Sequence, residues 1–262
     1  MKPLIFLSIF ILFFSCKSEV KKESITNNIE FKARIGNITD FKTIHFPSKD
    51  GLSITADLYL VENPKNFILL CHQAGFSRGE YIETAKRLNK IGYSCMAIDQ
   101  RSGKVANNII NETAKLAKEN NIIVKSYFDV KPDIESAIEY IYKLNDNKQI
   151  IIVGSSYSAS LSLYLAVEND KIEAVAAFSP GEYLKGVDLT NSIVNLDKPI
   201  FVTSSKKEIK QVEGIISKVK SKEIFQFKPI EKGIHGSRML WKQTKGNQEC
   251  WDDFTKFLKS IK

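Results

Sequence analysis

The apolar run Gln149-Ile150-Ile151-Ile152-Val153 leads straight into Gly154-Ser155-Ser156-Tyr157-Ser158, and this junction constrains the fold more than any other segment. An unbroken apolar run of that length reads as a strand buried on both faces, as in parallel sheets covered by helices. The segment that follows, Ala159-Ser160-Leu161-Ser162-Leu163-Tyr164-Leu165-Ala166-Val167, suits a buried helix. A serine at a sharp strand-to-helix turn has its Oγ pushed clear of the sheet. The next backbone N–H points into the same space, beside a helix N-terminus that favours negative charge. A neutral hydroxyl held there can become a positioned nucleophile with a hydrogen-bond donor at its side.

The rest of the chain repeats the alternation of strand and helix. Asn66 to Cys71, Cys95 to Ile98, Pro199 to Thr203 and Ile224 to Phe227 read as further strands. Helical stripes separate or follow them. Ala85, Leu88 and Ile91 form one, stopped by Gly92; Ile134, Ala137, Ile138 and Ile141 form another, behind a cap at Asp133. Ile209, Val212, Ile216 and Val219 make a third, and Trp251, Phe254, Leu258 and Ile261 close the chain. This order predicts one α/β domain over residues 41–262, with a mostly parallel sheet covered on both faces. An apolar content of 43% is enough for a sizeable core. The short stretch Gly181 to Lys198 leaves little or no room for a cap domain. The longer excursion Lys104 to Val130 is expected to carry a helix over 107–121 that walls one side of a site.

Gly154-Ser155-Ser156-Tyr157-Ser158 resembles the nucleophile elbow of the α/β-hydrolase family, Gly-x-Ser-x-Gly, with Ser158 in place of the last glycine. His72-Gln73-Ala74-Gly75, just after a strand, resembles the family's loop that donates the second oxyanion N–H. The resemblance implies oxyanion donors on the backbone of Gln73, Ala74 and Tyr157, and a loop-shaping part for His72. Cys95 to Gly103 resembles the end of the family's fourth strand, with Asp99 and Arg101 holding loops. The family order is serine, acid, histidine. Of the three histidines, His235, in Lys232-Gly233-Ile234-His235-Gly236-Ser237, comes last and lies between a strand and the final helix, so it is the expected base. Glu208, reached from the strand Pro199 to Thr203, occupies the acid slot; Glu182, in Ser179-Pro180-Gly181-Glu182, is the competing acid.

The His72 loop together with Arg78-Gly79-Glu80-Tyr81 looks most like the small esterases of dienelactone-hydrolase type. The implied function is a serine hydrolase that cleaves a carboxylic ester of a small acyl substrate through an acyl-enzyme, with a Ser156-His235-Glu208 triad and no cofactor. Two other readings stand beside it. One is a peptidase of the same fold. The other is a catalytically silent lipoprotein that binds a ligand or partner.

The first forty residues carry a separate set of expectations. Lys2 followed by the apolar stretch Leu4 to Phe14 reads as an export signal, too short for a membrane span of about 20 residues. Phe13-Phe14-Ser15-Cys16 resembles the bacterial lipobox, which implies cleavage after residue 15 and a lipidated Cys16. Residues 16–40 are polar and charged and read as a tether. The expected location is therefore the bacterial cell envelope, lipid-anchored and facing the periplasm or exterior. Discounting Cys16 leaves Cys71, Cys95 and Cys250. Cys71 ends one strand and Cys95 begins a neighbour, about 10 Å out of step, so free thiols are expected. The net charge of +8 is spread along the chain with no basic helix interleaved with aromatics, which suits anionic lipid and not nucleic acid. No metal-ligand spacing occurs.

Overall fold

The computed structural model describes residues 41–261, so the expectations for the signal, Cys16 and the tether lie outside the described residues. Strands β1 (Lys42–Pro47) and β2 (Ser53–Tyr59) open the domain, followed by β3 (Phe67–Cys71), helix α1 (Ile82–Lys90) and β4 (Ser94–Ile98). A small hairpin, β5 (Val105–Ala106) and β6 (Ile109–Ile110), precedes α2 (Glu112–Glu119) and α3 (Lys131–Leu144). Then come β7 (Ile150–Ser155), α4 (Tyr157–Ala166), β8 (Ile172–Phe178) and the one-turn α5 (Leu189–Ser192). The chain closes with β9 (Ile200–Thr203), α6 (Ile209–Ile216), β10 (Ile224–Phe227) and α7 (Asn247–Ser260).

Eight of these strands form one sheet in the order β1-β2-β4-β3-β7-β8-β9-β10. The first two pairings are antiparallel and the strands from β4 to β10 run parallel. The apolar runs supply both faces of this sheet, because successive side chains on a strand point to opposite sides. On β7, Ile150 and Ile152 enter one core while Ile151 and Val153 enter the other. The first core is completed by Ile134 and Ile138 of α3, Leu161 of α4 and Val212 of α6. The second is closed by Ala85 and Leu88 of α1 and by Trp251, Phe254 and Phe257 of α7. All four predicted helical stripes therefore face the sheet, and the expected two-sided α/β architecture is the observed one.

Two local expectations are corrected. The helix expected over 107–121 is shorter, because Asn107 and Asn108 both take positive φ (45° and 62°) and turn the chain in the β5–β6 hairpin. Paired left-handed residues suit a tight hairpin turn, and asparagine tolerates them. The helix begins only after Asn111, whose side chain accepts the Ala114 N–H at 2.7 Å. Asp133 is not a cap. It lies inside the first turn of α3, fully buried, and grips the Arg101 guanidinium at 2.6 Å. The cysteines behave as expected: Cys71 pairs with Ile98 and Cys95 with Ile68, three residues out of step, and Cys71, Cys95 and Cys250 are buried and free.

Candidate active site

Among the described residues, every one singled out for catalysis lies at or beyond the carboxyl end of a parallel strand, the edge where open α/β sheets place their sites. Ser156 follows β7 with φ 60° and ψ −123°, a strained backbone for a residue with a Cβ. Such geometry costs about 1–3 kcal/mol and persists only where the surroundings impose it. Here the Ser156 N–H is tied to the Phe178 carbonyl of β8 at 2.8 Å. Gly154 is required by space: a Cβ there would lie 2.4 Å from the Ser158 carbonyl oxygen. Ser158, where the elbow usually has glycine, is used. Its hydroxyl donates to the His72 carbonyl at 2.6 Å and accepts from Gln100 Nε2 at 2.6 Å, which ties α4 to the loop after β3.

His235 reaches the elbow from the loop beyond β10. Its Nε2 lies 2.8 Å from Ser156 Oγ and its Nδ1 lies 2.5 Å from Glu208 Oε1. The carboxylate can only accept, so the ring proton sits on Nδ1 and Nε2 offers its lone pair to the serine hydroxyl. Gly236, at φ 77°, lets this loop pass close to the elbow. A Cβ there would meet Gln73 Oε1 at 2.4 Å and Ser155 Oγ at 2.5 Å.

Glu208 stands on the single turn Lys206–Glu208 after β9. Its second oxygen accepts from Ser205 N at 3.0 Å, Ser205 Oγ at 2.7 Å and Ser179 Oγ at 3.0 Å. Burial pushes its pKa up, but the bonds from His235 and Ser205 outweigh burial and bring it down to about 2. The acid is thus held ionised. Glu182 is engaged elsewhere. It accepts from Leu189 N at 2.8 Å and from Thr190 N and Thr190 Oγ1 at 3.0 and 2.9 Å, securing the start of α5. Of the two glutamates, only Glu208 meets the histidine.

The oxyanion donors predicted from the sequence are narrowed. The Gln73 N–H donates to Glu80 Oε2 at 2.8 Å and is therefore occupied. The Gln73 carbonyl accepts from His72 Nδ1 at 2.8 Å and from Phe76 N at 3.2 Å. Across a trans peptide the following N–H points opposite to that carbonyl, so these two bonds aim the N–H of Ala74. Among the described residues, neither Ala74 N–H nor Tyr157 N–H has a partner. Together these residues present a hydroxyl, a basic nitrogen, a half-buried counter-charge and two open N–H donors, the parts that acyl transfer needs.

His72 shapes its loop from within the core. It is fully buried, and its Nε2 accepts from Gln100 N and Asn111 Nδ2, each at 3.1 Å. Burial lowers its pKa to about 4, against the opposing bond to Gln73. With a folded pKa below the unfolded one, the unfolded chain binds a proton first as pH falls. Stability from this group is therefore full above about pH 6.5 and lost progressively down to about pH 4. The drop should be roughly 3 kcal/mol, at about 1.4 kcal/mol per pH unit. Urea unfolding of the wild type and of His72→Asn between about pH 4 and 7 should show a smaller slope in the variant; equal slopes would remove His72 as the cause.

One neighbour of the triad carried no signal in the sequence. Tyr183, in the loop after β8, packs its ring at a steep angle against His235 with centroids 6.4 Å apart.

Comparisons with known proteins bear on the family and the fold. The family model described as serine aminopeptidase, S33, matches residues 62–257. An esterase of Pyrococcus furiosus superposes with a TM-score of 0.66 at 16% identity, over 87% of this chain and 95% of that one. A dienelactone hydrolase from Anabaena variabilis does so with a TM-score of 0.66 at 10% identity, over 86% of this chain and 99% of that one. An acylaminoacyl peptidase of Pyrococcus horikoshii gives a TM-score of 0.60 at 14% identity, over 90% of this chain but 43% of its own length. At these identities the solved structures establish the fold alone. No curated protein sequence matches.

Proposed function

This chain belongs to the serine aminopeptidase S33 family of α/β-hydrolases, and on that footing we propose that it is a serine hydrolase cleaving carboxylic esters of small acyl substrates. The observation that carries the reading is the His235 ring bonded at once to Ser156 Oγ and Glu208 Oε1, at 2.8 and 2.5 Å. In the reaction His235 Nε2 takes the Ser156 proton as Oγ attacks the ester carbonyl. Glu208 keeps the imidazole in the required tautomer and stabilises the imidazolium. The N–H groups of Ala74 and Tyr157 bind the oxyanion at the N-terminus of α4. His235 then gives its proton to the departing alkoxide, and a water molecule activated by the same ring releases the acid from Ser156. None of these steps calls for a cofactor.

Esters of modest size are favoured by the short connection between β8 and β9, which holds only the one-turn α5. A peptidase is the second reading, because the matching family model bears an aminopeptidase description. The full-length protein should react covalently with a fluorophosphonate and hydrolyse short-chain p-nitrophenyl esters at least about 100-fold faster than aminoacyl p-nitroanilides. Preference for the anilides would move the reading to a peptidase. A protein that no fluorophosphonate labels would be a binder and not an enzyme.

The lipid anchor at Cys16 is part of the same proposal and is supported by the apolar stretch ending in Phe13-Phe14-Ser15-Cys16. Two acyl chains hold a protein stably on a membrane where a single chain does not. Radiolabelled palmitate should enter the wild-type protein in a bacterial host, and Cys16→Ser should abolish incorporation. Unlabelled wild-type protein recovered soluble would refute the anchor.

A further inference from the structure

Glu80 is a fully buried carboxyl group with no part in the proton transfers described above. It lies on the single helical turn Arg78–Tyr81 that precedes α1. Its Oε2 accepts from Gln73 N at 2.8 Å, and its Oε1 accepts from Ser155 Oγ at 2.8 Å and Ser237 Oγ at 2.5 Å. Ser237 N closes the network by donating to Ser155 Oγ at 2.9 Å. Among the described residues, no lysine or arginine forms an ion pair with it.

The places these donors come from give the network its meaning. Gln73 directly precedes Ala74, an open oxyanion donor. Ser155 directly precedes Ser156, and Ser237 lies two residues after His235. Three segments far apart in the chain thus converge on one planar group, and each carries a different part of the site. An apolar side chain would fill the same space without the cost of burying a charge. A carboxylate differs in being acceptor-only with two oxygens, so it can receive all three donors in one plane. Burial raises its pKa above the usual carboxylate range, and the bonds from Ser237, Gln73 and Ser155 and the charge of Arg238 offset only part of that rise.

We propose that Glu80 is the positioning residue that holds the oxyanion loop, the elbow and the base loop in register with one another. The inference rests on the serine hydrolase reading and adds a residue that touches neither substrate nor reacting atoms. Its effect is indirect: the bonds at Gln73 N and O fix that residue from both sides, and Glu80 makes the first of them. A shift of this loop by about 1 Å misplaces the Ala74 N–H, an error that can cost about 100-fold in rate.

Glu80→Gln keeps the shape and one carbonyl acceptor but turns an amide NH₂ towards one set of donors. The test compares the full-length parent with Glu80→Gln and Ser237→Ala. It reads the second-order rate of fluorophosphonate reaction, kcat and KM for a p-nitrophenyl ester, and the melting temperature. Glu80→Gln should slow phosphonylation and lower kcat together by about 10- to 100-fold, less than the roughly 10²–10³ of losing an oxyanion donor outright. KM should stay within about threefold, since the ground-state pocket is untouched. Ser237→Ala, which removes one donor only, should lose about three- to tenfold in the same two rates. Should Glu80→Gln fail to fold, Ser237→Ala carries the test. Rates within about twofold of the parent in every variant that folds, or a lowered melting temperature with phosphonylation unchanged, would reduce Glu80 to a core residue and leave the triad intact. An unlabelled parent would instead remove the hydrolase reading, and this inference with it.

Discussion

Replacing Ser156 by alanine should abolish fluorophosphonate labelling and lower ester turnover by about 10⁶-fold, the scale on which a serine protease loses its nucleophile. The expectation follows from geometry. Ser156 Oγ is the hydroxyl that His235 Nε2 faces, at 2.8 Å, and it stands on a strained backbone that holds it there. Ser155 and Ser158 flank it but cannot substitute. Ser155 Oγ is engaged by Glu80 and by Ser237 N, and Ser158 Oγ by the His72 carbonyl and Gln100. Removing one oxygen from a largely buried position leaves the packing alone, so circular dichroism should not change. Labelling that survives in Ser156→Ala would place the nucleophile elsewhere and end the proposed mechanism.

The second large effect concerns the acid. Glu208→Gln should lower kcat by about 10⁴, near 5.5 kcal/mol of transition-state stabilisation. The neutral amide neither balances an imidazolium nor holds the proton on Nδ1. With the proton on Nε2, the ring has no lone pair for the serine hydroxyl. His235→Ala should be at least as damaging, and the double variant should be hardly worse than either single one, because the two residues act as a unit. Glu182→Gln should stay within about tenfold of wild type, since Glu182 serves the start of α5. Steady-state kinetics on these variants would decide the matter. An inactive Glu182→Gln beside an active Glu208→Gln would overturn the assignment and move the acid to Glu182, in the loop after β8. Acid pH alone should not neutralise Glu208 until about pH 2, so an activity loss at about pH 5 would have another source.

What could be read from the chain alone were the features that depend on neighbours in sequence. The run from Gln149 to Val153 read as a two-faced strand, and its alternation between two cores follows from the period of a strand. The turn at Ser156 and the loop at His72 were legible for the same reason, since strand, turn and helix are short-range events, whereas the serine–acid–histidine order came from the resemblance to the α/β-hydrolase family. Failures arose where local signals were ambiguous. Asn107-Asn108 breaks a pattern that otherwise suits a helix, and Asp133 looks like a cap until Arg101 arrives from another loop.

Tertiary structure alone decided which polar groups meet. Position after the strand Pro199 to Thr203 favoured Glu208 over Glu182, but which of them meets His235 depends on which loop the sheet order brings beside β10. Nor does the sequence reveal that Gln73 N–H is taken by Glu80 while Ala74 N–H stays open, or that Tyr183 leans over His235. Backbone propensity and hydrophobic period act over a few residues and determine the elements. A buried hydrogen bond can join groups 157 positions apart, as it joins Glu80 and Ser237, and it exists only once the packed sheet has removed water from around both.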